Sequence, residues 1–199
     1  MNTFTGKQWK ALMAHCMDKR KVTQTTDDNL RWPVLSNGHL IFSDKNCIVT
    51  FEVPFVEVHA ADPEYIPGGF MRLDQDLSEK ILMKDIFTVT EDGLYKNGKL
   101  ISPWRYVHNG TVSSFYKLVK DSKESLGKMT SDSLQNCVNY FGIGRKYIAN
   151  IADLADALGG DIKLYPVGGE RTSDTTFKAP VFLAEFGPDI TGVYAPVRL

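Results

Sequence analysis

The stretch 141–199 constrains this chain most, because it sets out one plan: a helix and then three short strands. Tyr147, Ile148, Ile151, Leu154, Ala155 and Leu158 recur at helical spacing. Gly159-Gly160 stops the helix, since glycine accepts the left-handed conformation at a helix end. Short apolar runs follow at Ile162–Tyr165, Pro180–Phe186 and Thr191–Val197, each of strand length and separated by turn residues.

The remaining totals set bounds. With 199 residues, 43% of them hydrophobic and 24% charged, the chain is expected to be a soluble globular protein of one large or two small domains. A net charge of −1 does not draw it onto nucleic acid, so a DNA partner would need locally clustered lysines. Cys16, Cys47 and Cys137 form no close pair, which argues against a disulfide framework or a zinc site and for reduced, buried thiols. Polar residues begin at once, and no apolar run approaches membrane-spanning length. The expected location is therefore cytoplasmic.

The chain before residue 103 reads twice as a helix followed by strands. Thr5-Gly6-Lys7-Gln8 has the form of a capping box, and Trp9, Leu12, Met13, Cys16 and Met17 form an apolar stripe. Lys7, Lys10 and Lys21 lie towards the other face, either as ordinary solvated lysines or as a phosphate-facing surface. Asn37-Gly38 signals a hairpin between residues 32–35 and 39–42. From Cys47 the residues alternate, with Cys47, Val49, Phe51 and Val53 on one side. A second helix is expected over Asp74–Lys84, with Leu73, Leu77 and Ile81 as its stripe. Meandering strands at 86–90, 94–95 and 99–101 follow, with turns at Glu91-Asp92-Gly93 and Asn97-Gly98. A third helix is expected over Thr111–Leu126, with Lys117, Lys120 and Lys123 along one side.

Catalytic signatures are sparse. His15, His39, His59 and His108 give no pair at metal-ligand spacing. There is no nucleophile elbow and no phosphate loop; Gly142-x-Gly144-Arg145 lacks the third glycine and the βαβ frame. Asp27-Asp28 and Asp74-x-Asp76 read as solvated carboxylates rather than a magnesium site. No catalytic residue, metal or cofactor is expected, although a Cys-His pair that meets only in space is invisible to this kind of reading.

Two motifs carry a family resemblance. The chain stops on Ala195-Pro196-Val197-Arg198-Leu199, which resembles the Met-Pro-Met-Arg-Leu terminus of bacterial DNA polymerase III beta sliding clamps. Ser102-Pro103-Trp104-Arg105-Tyr106-Val107 resembles the Tyr-Pro-Asp-Tyr-Arg-Arg-Val segment that opens the last clamp domain, with Tyr106 where the family has Arg. The close match covers about the last third of the chain. The resemblance implies an α+β, DNA-clamp-like fold of helices packed on antiparallel sheets, in two clamp-type domains, 1–102 and 103–199, with the second abbreviated. It also implies a non-enzymatic processivity factor, of a short phage- or plasmid-like kind, that encircles or contacts duplex DNA without sequence preference.

Lys7, Lys10, Lys21, Lys117, Lys120 and Lys123 would then face phosphates. Four helices per chain would let a homotrimer supply the twelve helices of a clamp ring. Pro103, Tyr106, Val107, Val193, Pro196, Val197, Arg198 and Leu199 would line a pocket for a peptide of a DNA polymerase or another clamp-binding protein. Against that pocket stands a plainer reading, in which Val193 and Val197 are sheet residues and Arg198 is a solvated terminal charge. Two other functions remain open: a clamp-like protein-binding module or decoy that closes no ring, and an unrelated α+β enzyme.

Overall fold

The computed structural model describes residues 2–16, 32–36, 38–44, 47–55, 70–73, 81–107, 118–124, 145–167, 181–187 and 189–194. Thr5 begins the first helix, α1 (Gly6–His15), with both halves of the expected capping box in place. Its hydroxyl accepts from the Gln8 N–H at 3.3 Å, and the Gln8 side chain accepts from the Thr5 N–H at 2.8 Å. A strand unforeseen in the sequence, β1 (Thr3–Thr5), precedes it and buries Phe4. Then come β2 (Val34–Ser36), β3 (His39–Ser43), β4 (Cys47–Glu52), β5 (Phe70–Leu73), β6 (Ile86–Thr90), β7 (Gly93–Lys96) and β8 (Lys99–Val107). Residues 118–124 are helical (α2), α3 spans Arg145–Leu158, and β9 (Lys163–Val167), β10 (Val181–Glu185) and β11 (Ile190–Tyr194) close the described chain.

The fold is α+β, with all the described strands in one antiparallel sheet of order β1-β6-β7-β8-β5-β2-β3-β4-β11-β10-β9. Part of this order is a mirror. The three strands after α1 lie as β2-β3-β4, and the three after α3 lie as β11-β10-β9, so the two trios meet at β4 and β11. There Cys47 to Phe51 pair with Tyr194 to Ile190. Expected alternation along β4 decides which side each residue takes. Cys47, Val49 and Phe51 join the core beneath α1 and α3, while Ile48 joins the opposite face with Ile41, Leu183 and Val193. Val119 of α2 packs into that second cluster, so α2 covers the other face of the sheet.

The main core is aromatic. Trp9 stacks on Phe87 with ring centroids 5.1 Å apart, and edge-on contacts link Trp9 to Phe4 and Phe42, and Phe4 to Phe51. α3 contributes Ile151, Leu154 and Ala155 to the same cluster. One body of core thus draws on residues from both sides of the boundary expected at Pro103. Pro103 itself lies inside β8, opposite Gly93. Residues 99–103 of β8 pair with β7, and 104–107 pair with β5.

Two expectations need correction. Of the helix expected over 74–84, residues 74–80 lie outside the described ones, and 81–84 are not helical: they enter a turn held by the Asp85 N–H bonded to the Leu82 carbonyl at 3.0 Å. The strand expected to end at Ile101 continues to Val107, because Pro103 sits at the joint where β8 changes partner. The Asn97-Gly98 turn is as expected, with both residues at positive φ (51° and 81°), the geometry of a tight I′ hairpin.

Candidate functional site

The helix side of the sheet offers the candidate site, because α1 and α3 lie next to one another there. Polar contacts draw them together along the seam. Lys7 Nζ donates to Asp156 Oδ2 at 2.7 Å and to the Asp156 carbonyl at 3.0 Å. At the other end Asn150, almost fully buried, donates its amide to the His15 carbonyl at 3.4 Å. That orients its Oδ1 towards His15 Nδ1, 3.0 Å away, which must then be the donor. His15 Nε2 faces Asp153 Oδ2 at 3.4 Å. A protonated ring donates to both partners, a neutral one only to Asn150. His15 is thus a seam residue.

Above the seam runs an open groove of about 310 Å³, floored by Ala11, Ala14 and Ala157 and rimmed by Lys7, Lys10, Met83 and the two aspartates. The outward side chains on this side are mixed. Lys7, Lys10, Arg145 and Lys146 are basic, and Asp153 and Asp156 are acidic.

The six lysines expected to face DNA do not share one surface. Lys10 is exposed on α1, and Lys7 is engaged with Asp156. Lys120 and Lys123 are exposed on α2, on the opposite side of the sheet, with Lys120 3.9 Å from Glu124. Lys21 and Lys117 lie outside the described residues. The reason is packing. Helical spacing identifies the apolar stripe of α2 through Val119, but not which side of the sheet that stripe covers.

The expected peptide pocket also divides. Pro196, Val197, Arg198 and Leu199 lie outside the described residues. Val193 is buried on β11, packed with Ile48 and Leu183 rather than open to a ligand. Pro103, Tyr106 and Val107 stand on β8, five strand spacings from β11 in the sheet order, roughly 24 Å along a regular sheet.

Two buried polar clusters went unforeseen. Asp85 is the hub of one. It accepts from the Leu82 N–H at 2.8 Å and from Asn97 Nδ2 at 3.0 Å, with Lys96 Nζ at 3.4 Å, and these donors hold its carboxyl below the usual aspartate range, the Leu82 N–H most of all. Asp85 also fastens α1, because its carbonyl accepts the Gly6 N–H at 2.7 Å. No sequence pattern marks an aspartate that serves a turn from within. The other cluster joins Cys16, Cys47 and Tyr194. A hydrogen bond to Cys16 and burial push the Cys47 thiol up, and burial pushes the Tyr194 hydroxyl up.

Among the described residues no group of three or more His, Cys, Asp or Glu side chains could hold a metal ion, and no helix is long and apolar enough to cross a membrane. Comparison with protein-family models, curated proteins and solved structures finds no match.

Proposed function

We propose that this chain is a sliding-clamp-like protein that lays its α1–α3 side against duplex DNA without reading sequence. The observation that carries the reading is the mirrored arrangement of two helix-and-three-strand units around β4 and β11, which sets two helices side by side on one face of a continuous sheet. On α1 and α3, four basic side chains against two acidic ones give these two helices a mild positive bias on a chain of net charge −1. Phosphate contacts of this kind are weak singly and salt-sensitive, which suits a protein that slides. With two described helices per chain on this side, a ring lined by twelve such helices takes six copies rather than three. DNA polymerases and other clamp-binding proteins would dock elsewhere on the same chain.

One observation favours a second reading, a clamp-like module that binds proteins and closes no ring: Lys7 is spent on Asp156, which leaves less charge for phosphates. Sedimentation at two salt levels, followed by retention on nicked circular against linear duplex, tests both. A closed oligomer kept only on the circle supports the clamp. A monomer that fails to bind duplex at low salt removes the DNA reading and leaves the protein-binding module.

A further inference from the structure

Cys16 and Cys47 meet at the inner end of α1, and nothing in the DNA reading uses them. Cys16 caps the helix, its N–H bonded to the Leu12 carbonyl at 2.9 Å. Cys47 opens β4, its N–H bonded to Asp44 Oδ1 at 2.7 Å. Its thiol points back at the helix, with Sγ 3.8 Å from the His15 carbonyl oxygen. In a trans peptide that oxygen lies about 2.8 Å from the next Cα. The Cys47 sulfur is therefore at most roughly 6.6 Å from the Cys16 Cα, and both side chains belong to the same buried cluster. Both residues are buried, at 0% and 1% exposure, and the Tyr194 hydroxyl beside them has no hydrogen-bond partner. Two buried thiols this near to one another on different elements are placed for a cross-link.

We propose that Cys16 and Cys47 form a redox site, which a small disulfide oxidant converts into an intramolecular disulfide that staples the end of α1 to β4. In the first step one cysteine, having given its proton to solvent, attacks a sulfur of the oxidant. A mixed disulfide forms and one oxidant thiolate leaves. The second cysteine then loses its proton and attacks the protein-bound sulfur, and the second oxidant thiolate leaves. The protein loses two electrons and two protons, and the oxidant is reduced to two thiols. Their burial makes this slow while α1 is docked, so the reaction proceeds through conformers in which that helix end has opened. Once formed, the bond closes the chain between residues 16 and 47 and stabilises the docked helix.

The test is oxidation of the full chain with excess glutathione disulfide, then acid quench, alkylation in denaturant and peptide mapping by mass. The expected product is a Cys16–Cys47 linked peptide pair, lighter by two hydrogens than the separate thiol peptides and released by dithiothreitol. The melting midpoint of the oxidised chain rises by about 10 °C. Cys137→Ser keeps the link and the shift, and this variant carries the test if Cys16→Ser or Cys47→Ser does not fold. Full alkylation of both cysteines after oxidation, glutathione on either without a link, or linkage to Cys137 instead, overturns the proposal.

Discussion

The unit α1-β2-β3-β4 and the unit α3-β9-β10-β11 enter the same sheet from opposite ends of the chain, yet their surroundings differ. β3 and β4 have neighbours on both sides and are buried at nearly every position. β9 is the last strand in the sheet order, and Leu164 upon it is 42% exposed. α1 carries Trp9 into the aromatic cluster, whereas α3 fills its part with Ile151, Leu154 and alanines. α1 has a capping box, and α3 begins with Arg145-Lys146, charges that oppose the helix dipole at that end. One plan therefore supports two jobs. The first unit holds the fold together, and the second leaves surface free.

The largest effect should separate the two helices. Trp9→Ala removes an indole that is fully buried and should cost about 3–5 kcal/mol, at the top of the range for core truncations. Leu154→Ala, equally buried, should cost about 2–4 kcal/mol because the smaller neighbours on α3 relax into the space. Urea unfolding followed by far-UV circular dichroism measures both, and equal losses would erase the contrast.

A pH titration sharpens it further. The Asp85 carboxylate is stabilised in the folded chain, so its contribution is fully present above the unfolded aspartate range near pH 4 and is lost as pH falls through the lower folded value. Asp85→Asn should be less stable than the parent at neutral pH and should flatten the acid limb of the stability curve. An unchanged limb would show that the hub at α1 is replaceable. Thr5→Ala should then cost about 1 kcal/mol by opening the capping box. The Lys7–Asp156 pair comes last. At 2.7 Å it is close, but its side chains are 44% and 79% exposed, so a double-mutant cycle should return only about 0.2–1 kcal/mol, vanishing in high salt.

Much of the local structure was legible in the sequence. Thr5 and Gln8 announced a helix start, the alternation from Cys47 announced which residues of β4 share a side, and Asn97-Gly98 announced a tight turn. What could not be read was which strand meets which. The strand expected over 99–101 stopped short of Pro103, yet Pro103 is the joint at which one strand leaves β7 for β5. The candidate site suffered most from this. Lysines on α1 and α2 share a helical pattern in sequence, and only packing across the sheet sends them to opposite sides. Asp153 and Asp156, which turn the seam from basic to mixed, stood in the sequence as ordinary polar-face residues.

The β4–β11 pairing bears on how the chain comes to exist at all. Thr50 finds its partner Thr191 at a separation of 141 residues. On a ribosome, β4 must wait with one side unpaired until β11 has emerged, and distant closures of this kind are slow. During that interval the nascent chain presents a sticky edge to its neighbours, so its yield in a crowded cell should depend on chaperone supply more than its final stability suggests.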